Sequence, residues 1–278
     1  MLTLFFVPKA FEGNFAIIQE NAIKSWISVI KPRPQIILLG NEKGAKDVCI
    51  KYNLIHISHI EKNNFGTPLL NDIFNKAQDR ASNNIMLYIN SDIILTDDLD
   101  KIASKLVQKH KEFLASGRRH ELQISKLINF KSDWQKTLFK RCNENNLKNS
   151  AWLDYFIFTK GIFGDIPPFA LGRTFWDKWL MWQAANQGYP VIDITENIYA
   201  IHQSHGYSYR GKSTQSIWEG KEAVENIRLA GGWSHGYSLD EAVNKKRVYT
   251  SHIFKNIVDR FLVMWPLLMK IRRVINKI

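Results

Sequence analysis

Cysteine is scarce in this sequence of 278 residues, and long apolar runs are missing. The two cysteines, Cys49 and Cys142, are too few for a disulfide scaffold or a cysteine-based zinc cluster, and they suit a reducing compartment. No stretch reaches the roughly 20 apolar residues that a membrane-spanning helix needs. The first residues contain neither a basic segment nor a small-residue cleavage site, so we expect no secretory signal. These absences predict a cytoplasmic protein, either soluble or peripheral on the cytoplasmic membrane face.

Positive charge is abundant but confined to two segments. The formal net charge is +12, and residues 101–148 hold twelve Lys and Arg against four Asp and Glu. Residues 251–278 hold six against one, so the rest of the chain is close to neutral. A localised basic surface predicts an anionic partner, namely a phosphate-bearing lipid or glycan, a nucleotide, or nucleic acid. A solvated face without a partner is the alternative.

Strand-like and helix-like patterns alternate along the first hundred residues. The predicted strands are 2–7, 36–39, 54–58 and 85–90, and the predicted helices are 15–30, 45–52, 67–81 and a fourth from 99 onward. This alternation predicts an α/β fold with a parallel sheet, and the apolar run 85–90 is typical of a central strand covered on both faces. Ligands of such sheets bind outside the carboxyl ends of the strands, so residues 7–10, 40–41 and 90–92 are the places to expect chemistry.

The second half is less regular. Residues 111–150 are basic and weakly periodic, which predicts an insertion or an acceptor-side loop. A strand is predicted over 152–159, followed by a helix over 174–187 that ends at Gly188 and by short strands at 191–195 and 198–201.

The end of the predicted central strand carries a polar triplet, Asn90-Ser91-Asp92. A divalent cation bound to a diphosphate needs carboxylate oxygens but takes most of its ligands from phosphates and water, so one aspartate at a strand end suffices. Asn90 is then expected to contact a ribose hydroxyl or a metal-bound water. The alternative is a plain turn, which these residue types also favour.

Two aspartates in the second half are candidate catalytic groups. Asp154 lies in the predicted strand, and Asp177 lies in the first turn of the predicted helix, where the helix dipole favours the carboxylate form. Asp177 is predicted to act as a general base on a sugar hydroxyl, with Trp176 and Trp179 against the apolar face of the sugar. The alternative is a helix cap beside a tryptophan-rich core, and for Trp179 the core interpretation is preferred.

Two histidines, His202 and His205, follow the last predicted strand. An imidazole near a strand end can complete a metal site begun by a distant aspartate. Their spacing allows either one to reach the ion, and the choice between them stays open.

Several of these segments together resemble the GT-A glycosyltransferases, in particular small family-2-like members. Residues 7–11 (Val-Pro-Lys-Ala-Phe), 66–75 (Gly-Thr-Pro-Leu-Leu-Asn-Asp-Ile-Phe-Asn) and 88–95 (Tyr-Ile-Asn-Ser-Asp-Ile-Ile-Leu) resemble the nucleotide-sugar half. Residues 152–209, which include Pro-Pro-Phe-Ala-Leu-Gly-Arg, Trp-Asp-Lys-Trp-Leu and Ile-His-Gln-Ser-His, resemble the acceptor half. The resemblance covers residues 2–210.

The resemblance implies a UDP- or GDP-linked sugar donor and a Mn²⁺ or Mg²⁺ ion. Residues 90–92 take the place of the family's Asp-x-Asp motif, which makes Asp92 the metal-binding carboxylate. His202 or His205 takes the place of a late metal-ligand histidine, and Asp177 that of the acid that activates the acceptor. Asn90 departs from the motif, since it replaces the usual first aspartate, and this makes the ion depend more on the nucleotide.

The remaining predicted site residues fall into three groups. The predicted nucleotide contacts are Val7, Pro8, Lys9, Thr67, Asn71, Asn90 and Ser91. The predicted acceptor contacts are Trp152, Arg173 and Trp176. Asp154 is predicted to be catalytic beside Asp177.

The domain prediction is a catalytic domain over 1–250 followed by a basic amphipathic helix over 251–278. Within the catalytic domain, 1–100 is the predicted nucleotide-sugar half, 101–150 the basic insertion and 151–250 the acceptor half. The tail from 252 to 278 is typical of a helix lying on an anionic bilayer. Docking on the catalytic domain, or on a second subunit in a homodimer, is the alternative.

The predicted function is a metal-dependent, inverting glycosyltransferase that extends a surface polysaccharide or lipid-linked glycan. Three other functions stay open at this point. They are a nucleotidyltransferase of the same fold, a nucleic-acid-binding protein built on residues 101–148, and an inactive scaffold, to which Asn90 alone points. Nucleic acid is the less favoured partner, because the basic segment has few interleaved aromatic residues.

Overall fold

Ten strands and seven helices make up the computed structural model, which describes residues 2–96, 99–131, 133–205 and 218–243. The strands are β1 (Leu2–Phe6), β2 (Gln35–Leu39), β3 (Ile55–Ile57), β4 (Ile85–Ile89), β5 (Ile93–Leu95), β6 (Leu114–Ser116), β7 (Arg119–Leu122), β8 (Tyr155–Thr159), β9 (Val191–Asp193) and β10 (Ala200–Gln203). The helices are α1 (Gly13–Val29), α2 (Ala45–Tyr52), α3 (Leu70–Arg80), α4 (Leu99–Lys109), α5 (Trp134–Phe139), α6 (Trp176–Asn186) and α7 (Lys221–Leu229).

A seven-stranded sheet in the order β3-β2-β1-β4-β8-β6-β9 organises the molecule. The first four of these strands are parallel, β8 runs antiparallel to both β4 and β6, and β9 is parallel to β6. The apolar run of β4 lies in the middle of this sheet and is buried, as its composition predicts. The α/β prediction is confirmed, with a mixed rather than fully parallel sheet.

A second, three-stranded sheet has the order β5-β10-β7. Strand β10 pairs antiparallel with β5, where His202 is opposite Ile93, and parallel with β7, where His202 is opposite Glu121. Because β5 follows β4 after only three residues, this small sheet brings β10 and β7 to the carboxyl end of β4.

Both faces of the large sheet are covered by apolar side chains. On one face Phe5 packs edge-on against Phe74 and Phe158, at ring-centroid distances of 5.0 and 6.2 Å. On the other face, α1 presents Ala22 and Trp26 to the sheet, and their spacing of four residues places them on one side of the helix. Trp179 is also buried, as preferred from the sequence.

Two segments differ from the sequence-based expectations. The helix predicted over 67–81 begins at Leu70, because Pro68 and Leu69 instead form isolated bridges with Lys62 and Ala170. The segment 111–150 is not a loop throughout, since β6 joins the large sheet and β7 the small one. Strands of three and four residues are too short to show a two-residue period. In addition, β7 is mostly buried although it contains charged residues, so its composition does not indicate burial.

The segments 206–217 and 244–278 are outside the described residues, and so are the predicted tail helix and its membrane contact. In the part of the chain that the structure describes, no helix combines the length and the apolar character required to cross a bilayer. The division into domains stays a prediction.

Candidate active site

A cleft of about 430 Å³ opens at the carboxyl ends of β1 and β4. The predicted site residues that line it are Val7, Pro8, Lys9, Thr67, Asn90, Ser91, Asp92, Trp152, Asp154, Arg173, Trp176, Asp177, His202 and His205. Asn71 is the exception: it lies in the first turn of α3 and is not among the lining residues. The edge of the sheet at which chemistry is expected is therefore the edge that carries the cleft.

Asp92, His202 and His205 meet at one wall of the cleft, with one ligand atom from each residue within 4.8 Å of the others. The Nε2 atom of His205 is 2.9 Å from Oδ2 of Asp92, and Nε2 of His202 is 3.6 Å from the same oxygen. Both predicted histidines thus lie close to the carboxylate. The structure therefore does not favour one of them over the other as the metal ligand.

These three residues fit a divalent metal ion. Oδ1 of Asp92 is buried and has no hydrogen-bond partner among the described residues, and such an orphaned carboxylate oxygen is costly unless a cation or water meets it. Two imidazole nitrogens and one carboxylate oxygen are ligands that divalent transition metals accept.

The ionisable groups around Asp92 shift one another's pKa values. Burial alone raises the pKa of the Asp92 carboxyl, but the two imidazoles and Lys9 outweigh burial and hold this pKa well below its usual range. Burial lowers the pKa of His202, and the Asp92 carboxylate and the hydrogen bond to Glu121 reverse that and raise it to about 9. Burial lowers the pKa of Lys9, and the nearby Asp92 carboxylate opposes this effect.

Asp154 lies behind the end of β4 and is fully engaged. Its Oδ1 accepts a hydrogen bond of 2.7 Å from Nδ2 of Asn90, and its Oδ2 accepts one from the buried guanidinium of Arg119. The Oδ1 atom of Asn90 accepts in turn from the hydroxyl of Tyr88, at 3.0 Å. This network fixes the orientation of Asn90, which stands where the resemblance described above has the first aspartate of an Asp-x-Asp motif.

Asp177 is partly buried on the wall formed by the start of α6. Burial is the main cause that raises the pKa of its carboxyl to about 6, and Asp154 adds to the effect while Lys178 opposes it. Phe175, the residue immediately before α6, has φ +92°, a strained backbone conformation for a residue with a side chain. Its ring packs edge-on against that of Trp233, at a centroid distance of 5.0 Å. The first turn of α6, which begins immediately after Phe175, lines the cleft.

Arg173 is tied to the opposite rim rather than left free. Its Nε atom donates to Glu222 of α7 at 2.9 Å, and Glu222 also accepts from Asn63 at 2.9 Å. Burial raises the pKa of Glu222, but these donors and the hydroxyl of Thr67 lower it to about 2. The loop that carries Thr67 is therefore anchored to α7 by an ionised carboxylate.

Tryptophans provide the apolar part of the cleft. Trp152 has its ring 6.1 Å from that of Trp218 and lies against the guanidinium of Arg119, at 5.0 Å. Trp176 is largely buried and packs edge-on against Tyr88, at 5.4 Å, so only part of it reaches the cleft.

The residues that were not predicted from the sequence include Arg119 and Trp218, which line the cleft, and Glu121 and Glu222, which hold His202 and Arg173 in place. Arg119 and Glu121 are two residues apart in β7 and so share one face of the strand, but a strand of four residues is too short for this spacing to be recognised as a period. Their partners are set by strand pairing with β10, which the sequence does not reveal.

No protein-family model matches the sequence, and no curated protein does so. Among solved structures, residues 1–349 of S. aureus TarS are 14% identical, with a TM-score of 0.53 over 89% of this chain and 67% of that one. The same fragment in complex with UDP-GlcNAc is 13% identical, with a TM-score of 0.54 over 89% and 68%.

A mannosyltransferase from Pyrobaculum calidifontis, PcManGT, in complex with GDP-Man and Mn²⁺, is 15% identical, with a TM-score of 0.50 over 82% of this chain and 63% of that one. The chain covers 43% of a longer TarS structure. At these identities the likeness shows the fold alone. The chain has the GT-A fold, which confirms the fold class predicted from its sequence.

Proposed function

We propose that this protein is a metal-dependent glycosyltransferase. It moves a sugar from a UDP- or GDP-linked donor to a hydroxyl of a glycan or lipid-linked glycan, with inversion at the anomeric carbon. The observation that carries the proposal is the placement of the Asp92–His202–His205 cluster and of Asp177 in one cleft at the strand ends of a GT-A fold.

The donor side of the proposal is supported by the charge distribution and by the neighbours. Val7, Pro8, Lys9 and Ser91 lie at the ends of β1 and β4, where nucleotides bind in open α/β sheets. Lys9 is a cation beside Asp92, in a place where it can contact a phosphate. TarS has been crystallised with UDP-GlcNAc and UDP, and PcManGT with GDP-Man.

The metal is proposed to be Mn²⁺ rather than Mg²⁺. Asp92, His202 and His205 would hold it. Mg²⁺ is a hard cation that takes oxygen ligands, so a site with two imidazole nitrogens fits it poorly. When bound, such an ion stabilises the negative charge that develops on the leaving diphosphate. PcManGT was solved with Mn²⁺.

On the acceptor side, Asp177 is the proposed general base. Its pKa of about 6 leaves it ionised near neutral pH yet basic enough to take a proton from the attacking hydroxyl. Both oxygens of Asp154 already accept hydrogen bonds, so Asp154 holds Asn90 in place instead. With one base on one face of the sugar, direct displacement inverts the anomeric centre.

The proposed acceptor contacts are Trp152, Trp176 and Arg173, together with Trp218. Their indoles offer apolar faces for sugar rings. Membrane contact through residues 252–278 and a homodimer remain predictions from the sequence. The described residues of the site give no specific support to a nucleotidyltransferase or a nucleic-acid-binding protein, and an inactive scaffold rests on Asn90 alone.

The proposal is tested by incubating the purified protein with UDP-GlcNAc and with GDP-Man, each with Mn²⁺, with Mg²⁺ and with chelator. We expect release of free UDP or GDP from one donor, stimulated most by Mn²⁺. The product's anomeric configuration, determined by NMR, then tests inversion. Thermal shift with each nucleotide measures binding separately from turnover. Absence of a metal-dependent shift with either nucleotide would contradict the proposal.

A further inference from the structure

Strand β7 contributes two charged residues to the wall that carries the metal-fitting cluster. In its parallel pairing with β10, Glu121 is opposite His202, so the side chains of both residues lie on the same face of the small sheet. Arg119, two residues earlier in β7, shares that face and lines the cleft. His120, between them, faces away and stacks on Tyr199 at 5.2 Å.

The two carboxylate oxygens of Glu121 have different partners. Oε1 is 2.9 Å from Nδ1 of His202 and accepts a hydrogen bond of 3.0 Å from Oγ of Ser204. Oε2 faces two cations, 3.6 Å from Arg119 and 3.8 Å from Lys148. Both carboxylate oxygens of Glu121 thus have partners, and one of these partners is Nδ1 of His202.

The hydrogen bond from His202 has a consequence for its other ring nitrogen. A neutral imidazole carries one N–H, and a carboxylate at Nδ1 requires that this hydrogen be there. The lone pair is then on Nε2, the atom that lies 3.6 Å from Oδ2 of Asp92. Outer carboxylates of this kind fix the tautomer and the ring orientation of metal-binding histidines.

We propose that Glu121 is a positioning residue for the divalent metal, acting through the hydrogen bond that it accepts from Nδ1 of His202. The proposal rests on the proposed function for the presence of a metal at Asp92, His202 and His205. It goes further in assigning a role to Glu121, which does not itself line the cleft and acts only through His202.

Arg119 gives this arrangement its rigidity. Its guanidinium is buried, donates to Asp154 and stands 3.6 Å from Glu121, so it links the carboxylate behind His202 to the carboxylate behind Asn90. The buried guanidinium of Arg119 therefore connects the strand that carries Glu121 to the residues at the end of β4. Replacing Glu121 leaves that cation paired with Asp154, and it removes the hydrogen bonds to His202 and Ser204 together with the ion pairs to Arg119 and Lys148.

The test is the affinity for Mn²⁺ itself, measured by titrating the full-length protein and following free Mn²⁺ by electron paramagnetic resonance. We expect Glu121→Ala to raise the dissociation constant about 10- to 100-fold, the range typical of lost outer-shell partners. Glu121→Gln keeps an acceptor oxygen and should lie between the wild type and Glu121→Ala. Glu225→Gln, which removes a glutamate from an exposed pair with Arg228 in α7, is the matched control and should bind Mn²⁺ as the wild type does.

A double-mutant cycle separates positioning from general loosening of the fold. If Glu121 acts through His202, Glu121→Gln costs no further affinity in a His202→Ala background. The ¹⁵N spectrum of metal-free protein should show the neutral His202 imidazole with its hydrogen on Nδ1 in the wild type, and a mixture of tautomers in Glu121→Gln.

The outcomes divide cleanly between the two proposals. A wild type that does not bind Mn²⁺ overturns the metal part of the proposed function and this inference with it. A wild type that binds, with Glu121→Ala and Glu121→Gln equal to it, overturns this inference alone. Equal losses in the presence and absence of the His202 imidazole also overturn it, because Glu121 would then act by another route.

Discussion

The two walls of the cleft are built in different ways. The wall formed by β1, β2 and β4 consists of buried apolar strands, and Lys9 is the prominent ionisable group where β1 ends. The wall formed by β7, β8 and β10 contains a buried ionic network that joins Arg119, Asp154 and Glu121. Apolar burial fixes the frame of the site, whereas the chemistry depends on polar contacts between residues far apart in sequence.

The largest effect is expected from Asp177→Asn, which removes the proposed base and keeps its shape. We expect kcat to fall by about 10²- to 10⁴-fold, with little change in donor affinity. In the wild type, kcat/KM should decline below pH 6, because the Asp177 pKa of about 6 governs the ionised fraction. Steady-state rates between pH 5 and 8 check both statements, and a variant as active as the wild type would remove Asp177 from the mechanism.

The same substitution should raise stability at neutral pH. The folded pKa of about 6 lies above the ordinary value of 3.8, so the ionised carboxylate costs stability above pH 6 and that cost disappears as the pH falls through 6 toward 4. We expect Asp177→Asn to gain about 1–2 kcal/mol at pH 7.5, less than the full shift implies because the group touches the cleft. Denaturant unfolding at pH 7.5 and pH 4 measures this, and no gain is expected at pH 4.

Asp92→Asn should act on metal binding rather than on proton transfer. We expect weaker binding of Mn²⁺ and a loss in kcat/KM on the order of 10³-fold, corresponding to several kcal/mol of charge stabilisation. Asp177→Asn, in contrast, should bind Mn²⁺ with unchanged affinity. Asp47→Asn, at an exposed position in α2, is the matched control and should behave as the wild type does. Equal Mn²⁺ affinity in Asp92→Asn and the wild type would contradict the metal assignment.

How far the sequence predicts the molecule differs between the same two walls. The strands β1, β2 and β4 and the edge that carries the cleft follow from apolar runs and from residues such as Asn90 and Asp92 that end them. Arg119 and Glu121 were not predicted, because their importance arises from the pairing of β7 with β10, 81 residues away between Glu121 and His202. Strand register over such distances leaves no local pattern in a single sequence.

The buried network makes a second prediction about stability. Arg119→Met leaves the Asp154 carboxylate buried without its cation, which we expect to cost about 3 kcal/mol of unfolding free energy. Arg228→Met, which breaks the exposed pair with Glu225, should leave the denaturant midpoint unchanged. Chemical denaturation of the two variants gives the contrast, and equal small effects would show that the network contributes little to folding.

Phe5→Leu tests the apolar wall. Phe5 is fully buried and makes edge contacts with three rings, Phe74, Tyr88 and Phe158. We expect a loss of about 1–2 kcal/mol in unfolding free energy from the cavity and the lost ring contacts. Mn²⁺ affinity and donor KM should be unchanged, because the contacts of the Phe5 ring are with other rings of the apolar core. A shift in either constant would show that packing and chemistry are less separable than the two walls indicate.

The smallest effect is expected from Tyr88→Phe. This variant tests the polar contact that a residue of the apolar wall makes with Asn90. The Tyr88 ring belongs to the apolar core, but its hydroxyl donates to Oδ1 of Asn90 at 3.0 Å and lies near Asp92, Asp154 and Asp177, which together with burial raise its pKa. Removing one hydroxyl should cost about 1 kcal/mol in stability, since a single hydrogen bond is lost. Asn90 then keeps its bond to Asp154 but loses its second restraint, so we expect donor KM to rise a few-fold while kcat stays within a factor of two. Unchanged KM with normal stability would mean that Asp154 alone orients Asn90.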